Sequence, residues 1–164
     1  EETFNRLDAI PGVNRITIEN VVAEIGMDMN QFPSAEHLAS WAGLCPGNEE
    51  SDGKRKRRRT TKGNVWLRRA LCESAWAAGR SNDTYFAAQY RRLAGRRGKN
   101  RAVMAVAHSL LIVFYQLLNN EHVQYRELGG NYFDTLEPTR LRRHLVKRLE
   151  SLGYEVTLAE RKAA

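Results

Sequence analysis

Residues 99–119 place the tightest constraint on the fold. Val103, Val106, Ala107, Leu110, Leu111, Phe114, Leu117 and Leu118 recur at helical spacing, and few polar residues interrupt the other faces. A helix that is apolar almost all round has no face to give to water, so it must be a central helix with others packed about it. A membrane span does not fit, because the apolar stretch falls short of the roughly 20 residues a bilayer core requires and contains His108, Ser109 and Gln116. His108 on such a helix reads as a satisfied core histidine and not as a catalytic base.

The helices that surround it announce themselves by their caps. Residues 3–9 form a short helix, and Ile10-Pro11-Gly12-Val13-Asn14 a tight turn, with Pro and Gly as punctuation and Asn tolerant of a left-handed backbone. In the next helix Ile18, Val21, Val22 and Ile25 share a face, and Gly26 stands where a C-terminal cap belongs. Ser34 caps a third, with Glu36 and His37 in its first turn and Leu38, Trp41 and Ala42 as its apolar face. Asn64 opens a fourth to about Ala78, its face drawn from Leu67, Ala70, Leu71, Ser74, Ala75 and Ala78. Ser81 or Asn82 caps a fifth to about Ala94, and Gly95-Arg96-Arg97-Gly98 is a basic turn.

Beyond Glu121 the pattern weakens, and Gly129-Gly130-Asn131 predicts a loop around Tyr125, Tyr132 and Phe133. Pro138 starts a last helix, with Leu141, Leu145, Leu149 and Leu152 inward and Arg140, Arg143, Lys147 and Arg148 outward. The run from Tyr154 to Leu158 alternates like a short strand. The predicted fold is mainly α: a helical domain over 1–120, with a helix-hairpin-helix-like element at 3–26 and a long basic loop at 43–63, then a helical extension over 121–164.

That loop holds the chain's charge anomaly. The sequence has 26 Lys+Arg against 19 Asp+Glu, a net charge of +7. Lys54, Arg55, Lys56, Arg57, Arg58, Arg59 and Lys62 supply seven positive charges within nine residues, so the remainder nets to zero. Such a run repels itself too strongly to be a packed element. It is the footprint of a phosphate-backbone binder, although a merely solvated basic loop or a localisation-like segment has the same composition. Cys45 and Cys72 have no metal-like spacing and no CxxC partner, which argues against zinc and a disulfide framework and for a reducing, cytoplasmic setting. With no initiator Met, signal peptide or targeting pattern, the chain reads as a piece of a longer protein.

Three constellations could carry chemistry. The turn at Gly12 and Asn14 could aim backbone N–H groups at a phosphate, as helix-hairpin-helix turns do, or could be an αα-hairpin that only packs; a second Gly is usual where Asn14 stands. Ser51-Asp52-Gly53 heads the basic run: a serine nucleophile attacking a phosphodiester would find its developing charge stabilised by the neighbouring cations, and Gly53 would let the chain approach a strand closely. No histidine lies near it in sequence, so activation would fall to Asp52, to the arginines or to a group upstream. Lys62-Gly63-Asn64, leading to Arg68 and Arg69, sets cations at a helix start, which fits an anion site or an ordinary exposed one. No carboxylate cluster has the spacing of a metal site.

Taken in order, Ile10-Pro11-Gly12, Phe32-Pro33-Ser34, Ala42-Gly43-Leu44-Cys45-Pro46-Gly47, Ser51, Gly53-Lys54, Lys62-Gly63-Asn64 and Leu67-Arg68 resemble the C-terminal domain of the insertion-sequence one-ten transposases, and within them the eleven-eleven group. The likeness continues through residues 87–94, Ala105-Val106-Ala107-His108 and Tyr132-Phe133-Asp134. It implies a DNA recombinase with two catalytic modules. An upstream RuvC-like domain carries acidic ligands for a divalent metal such as Mg, and this domain, with no cofactor of its own, supplies a serine that joins DNA covalently. On that resemblance Ser51 is the nucleophile and Gly53 its following glycine; around it Arg59, Lys62 and Arg68 are read as phosphate-binding or charge-stabilising groups, and Gly53 and Gly63 as hinges that permit close approach. It also implies DNA and an element-encoded guide RNA as partners, a homo-oligomer, and no strand transfer by this piece alone. The unbroken basic run departs from relatives that interrupt it with Ser or Gly. A non-catalytic DNA- or RNA-binding and oligomerisation module is the alternative.

Overall fold

The computed structural model describes residues 2–45, 50–51, 54–55 and 62–159. Its helices are α1 (Glu2–Asp8), α2 (Arg15–Ile25), α3 (Ala35–Trp41), α4 (Val65–Arg80), α5 (Tyr85–Arg97), α6 (Lys99–Asn119), α7 (Tyr132–Leu136) and α8 (Pro138–Glu150), with a single 3₁₀ turn at Met29–Gln31. The mainly α class expected from periodicity holds, and it holds because α6 is the central helix. Ala102, Val103, Val106, Ala107, Leu110, Leu111, Phe114, Tyr115 and Leu117 are all buried, with α3, α4 and α5 packed around them. At 21 residues α6 is in fact long and apolar enough to cross a membrane, contrary to the shorter apolar stretch read from the sequence. Half of its apolar window is buried inside the bundle, which accounts for the composition.

Local chemistry sets the helix starts. Asn14, Ser34 and Asn64 each turn a side-chain oxygen onto the N–H three residues on, at Thr17, His37 and Leu67. The fifth helix begins elsewhere than expected: Thr84, not Ser81 or Asn82, is its cap, and it runs on to Arg97. Ser81 instead bonds the Ala78 carbonyl that ends α4 and pairs with the Thr84 hydroxyl. In the first turn Gly12 carries the positive φ of 80°, whereas Asn14 is extended. A Cβ on Gly12 would overlap the backbone of Ala78, so the turn docks on the end of α4.

Four pairings fix how the helices run. Glu24 accepts from Asn64 and Thr17 meets Ser74, so α2 lies antiparallel to α4. Trp76 packs on Tyr90 with ring centroids 5.8 Å apart, and Gln89 donates to Ser109 at 2.9 Å, so α5 doubles back on α4 and α6 doubles back on α5. Cys72 meets the Met104 sulfur at 3.7 Å, consistent with α4 and α6 running in the same sense. From the other side, Tyr115 donates its hydroxyl to the Phe32 carbonyl and Gly63 abuts Ala42. The start of α4, the end of α5, the start of α6 and the end of α3 therefore share one end of the bundle.

The C-terminal third departs furthest from expectation. Tyr132 and Phe133, expected in a loop, begin α7, where they form an aromatic cluster with Tyr85. Pro138 does start α8, but the leucines expected inward are not buried: Leu141 is half-buried, Leu145 is 50% exposed, Leu149 44% and Leu152, just past the helix end, 68%. The helix has an apolar stripe as expected, yet it docks on α7 and offers that stripe to no part of the core. Residues 154–159 form no strand, having no partner strand to pair with. The basic segment, expected as irregular throughout, contains two two-residue strands, β1 (Glu50–Ser51) and β2 (Lys54–Arg55). Antiparallel pairing uses backbone groups only, so side-chain charge does not forbid it. Trp41, expected on the buried face of α3, is 45% exposed and rests one side on Phe32.

Candidate nucleic-acid interface

The basic segment leaves and re-enters the bundle at one point. Ala42, Gly43 and Leu44 are buried, and the Leu44 N–H bonds back to the Ala39 carbonyl at 3.0 Å. Opposite them Gly63, at φ 51°, lies so close that any side chain would strike the carbonyl of Ala42. Gly63, read as a hinge for close approach, thus serves first for close approach by the protein's own backbone. Directly after it Asn64 is fully engaged: its oxygen takes the Leu67 N–H at 3.0 Å and its nitrogen donates to Glu24 at 2.5 Å. The basic excursion, the segment between Leu44 and Lys62, is in this way pinned at its two ends.

On that excursion the backbone of Ser51 stands opposite that of Lys54, and Glu50 opposite Arg55. Two residues separate the strands in sequence, the shortest common hairpin connection. Asp52, Gly53, Lys56, Arg57, Arg58 and Arg59 lie outside the described residues. Lys62 is exposed at the root and Arg68 is half-buried one turn into α4. Gly12 and Asn14 sit at the opposite end of α4, against Ala78. Lys62, Asn64 and Arg68 therefore fall where the basic segment rejoins the bundle, with the Arg68 N–H bonded to the Asn64 carbonyl, and the first turn lies apart from them.

Two features of this end go beyond the basic turn at Gly95–Gly98 read in the sequence. From Thr84 to Asn120 there is no acidic residue, while Arg91, Arg92, Arg96, Arg97, Lys99 and Arg101 fall within eleven positions. The four from Arg96 to Arg101 are exposed at the α5–α6 corner, on the same end as the hairpin root. Trp66 is 68% exposed in the first turn of α4. Its position off the stripe formed by Leu67, Ala70, Leu71 and Ser74 was the available signal.

Among the described residues, His108, His37 and the two cysteines are each held by the fold in ways that do not make them a ready base. His108 is half-buried, and burial holds its imidazole below the usual range, partly opposed by the nearby Glu36. His37 Nδ1 lies 3.0 Å from Ser34 Oγ, but this is the α3 cap, in which the same hydroxyl oxygen receives the His37 N–H. Cys45 and Cys72 are free, and burial pushes both thiols up, away from the reactive thiolate. Among the described residues no group of three His, Cys, Asp or Glu is placed to hold a metal ion.

Comparison with known proteins bears on the same residues. The family described as "Transposase IS116/IS110/IS902 family" matches residues 4–91, more than half of the chain. The transposase for insertion sequence element IS1111A of Coxiella burnetii is 34% identical over 124 residues, covering 73% of this chain and 34% of that protein. The insertion element IS110 uncharacterized 43.6 kDa protein of Streptomyces coelicolor is 32% identical over 120 residues, covering 70% of this chain and 28% of that protein. The chain thus spans about a third of the length of the curated relatives it matches.

Proposed function

Since the chain belongs to the IS116/IS110/IS902 transposase family, we propose that it is the part of a DNA transposase that supplies a serine nucleophile, Ser51, for strand cleavage and exchange. The observation that carries this reading is the placing of Ser51: it stands in hairpin register with Lys54, on a segment rooted between Gly63 and Ala42. In the proposed step the Ser51 Oγ–P bond forms as the strand's P–O bond breaks, and the proton lost by serine ends on the departing oxygen. Negative charge gathers on the non-bridging oxygens, where Lys54, Arg55, Lys56, Arg57, Arg58 and Arg59, with Lys62 and Arg68 at the root, would stabilise it.

The remainder of the reading concerns the longer protein. A RuvC-like domain upstream would hold a divalent metal such as Mg on acidic ligands, and this piece alone would not complete strand transfer. DNA and an element-encoded guide RNA would be its partners, in a cytoplasmic homo-oligomer. Guide pairing would relieve the protein of base reading, which suits a basic surface that grips backbone. Gly12 and Asn14 would add at most a distant phosphate contact, since they lie at the far end of α4.

The test is Ser51→Ala in the full-length transposase. Recombination should fall by several orders of magnitude while DNA binding, read by gel shift at fixed salt, stays within a few-fold. Recombination near the wild-type rate in that variant would remove Ser51 from the chemistry.

A further inference from the structure

The α5–α6 corner is hard to explain as a device for stability. Arg96 and Arg97 suit the end of α5, but Lys99 and Arg101 sit in the first turn of α6, where the helix dipole disfavours cations. That turn holds no acidic residue, and its cap, Gly98, makes no side-chain hydrogen bond. Among the described residues none of these four cations is within ion-pair distance of a carboxylate. Gly95 lies within helix α5, and a Cβ there would meet nothing within 4 Å, so packing does not require a glycine. A bare, basic and acid-free corner of this kind complements a polyanion.

Trp66 adds a second chemistry at the same end. Exposing an indole is unfavourable unless something covers it, and Trp66 belongs to no aromatic pair among the described residues. It follows Lys62 and Asn64 by one helical turn or less. Cations that track a backbone beside an exposed aromatic ring are the two components of single-strand binding: phosphates are held by charge, and an unpaired base stacks on the ring. A paired duplex offers the ring no free base face except at its ends.

We infer that the end of the bundle bounded by Trp66 and the Arg96–Arg101 corner is a second nucleic-acid site, distinct from the hairpin, which takes unpaired nucleotides. Arg96, Arg97, Lys99 and Arg101 hold backbone phosphates, and Trp66 stacks a base. The inference rests on the nucleic-acid reading above but not on Ser51 as nucleophile. Unpaired DNA and unpaired RNA share the chemistry, and the experiment separates them.

The experiment is performed in full-length protein carrying Ser51→Ala, so that cleavage plays no part. Binding of single-stranded DNA, single-stranded RNA and blunt duplex is measured across salt concentrations. Trp66→Ala should weaken binding of at least one single strand by about 5- to 150-fold and leave the duplex nearly unchanged; the strand more affected identifies the natural ligand. Trp66→Phe should restore most of the affinity while losing the quenching of tryptophan emission. Replacing the four corner cations by Gln should lower the salt slope for that strand by about 2–3. Unchanged single-strand affinity in Trp66→Ala overturns the inference, as does an unchanged slope in the corner variant. A changed oligomeric mass with unchanged binding overturns it too, assigning Trp66 to a protein contact. Absence of nucleic-acid binding by the parent protein would instead defeat the broader reading.

Discussion

Two glycines with different surroundings show how much a single residue decides here. Gly63 combines a positive φ with contact against the Ala42 carbonyl, so Gly63→Ala should cost about 2 kcal/mol or more and loosen the root of the basic excursion. Gly95 is helical with open space beside it, so Gly95→Ala should stabilise by roughly 0.5–1 kcal/mol. Denaturant unfolding of the two variants should move in opposite directions. Glu127 is equally specific. Burial would raise its carboxyl, but the N–H groups of Tyr85 and Gly129 and the Tyr125 hydroxyl outweigh that and lower it overall. A lowered carboxyl contributes stability that is present above its ordinary range and lost as pH falls through it toward the folded value. The thermal midpoint should therefore drop between pH 5 and pH 3 less in Glu127→Gln than in the wild type, and an equal drop would argue that the clamp is absent.

At the scale of elements, what could be read from sequence was what neighbours in sequence determine. Ser34 and Asn64 are caps because of residues three positions away, and the buried face of α4 follows from its own spacing, whereas Asn14, read as a turn residue, turned out to cap α2. Thr84 was obscured because Ser81 and Asn82 are equally good caps, and only tertiary placement shows Ser81 spent on Ala78. The inward reading of α8 failed for a related reason: amphipathicity says that a helix has an apolar face, not what covers it. As Leu145 and Leu149 are about half exposed, changing both to Ser should shift the stability of this chain by about 1 kcal/mol or less. A loss of the 2–5 kcal/mol typical of core truncation would contradict the exposed stripe. The pairing of β1 with β2 was hidden beneath side-chain charge, which carries no information about backbone pairing.

On the scale of the whole molecule, α6 explains why the candidate interface lies where it does. A central helix that must be covered on all sides gathers α3, α4 and α5 around it, and their directions bring four helix ends to one pole. The root of the basic segment and the α5–α6 corner lie at that end although more than thirty residues separate them in sequence. Charge composition alone located the excursion, but the co-location of Trp66, the corner and the hairpin root depends on helix pairing and was beyond reach of the sequence. The account's central claim is that Ser51 joins DNA covalently. It is tested most directly by trapping full-length transposase on a cleavable substrate and mapping the adduct by mass spectrometry. The account predicts a phosphodiester-linked nucleotide on the peptide containing Ser51, absent from Ser51→Ala. An adduct on another residue, or recombination completed with no protein–DNA adduct, would contradict it.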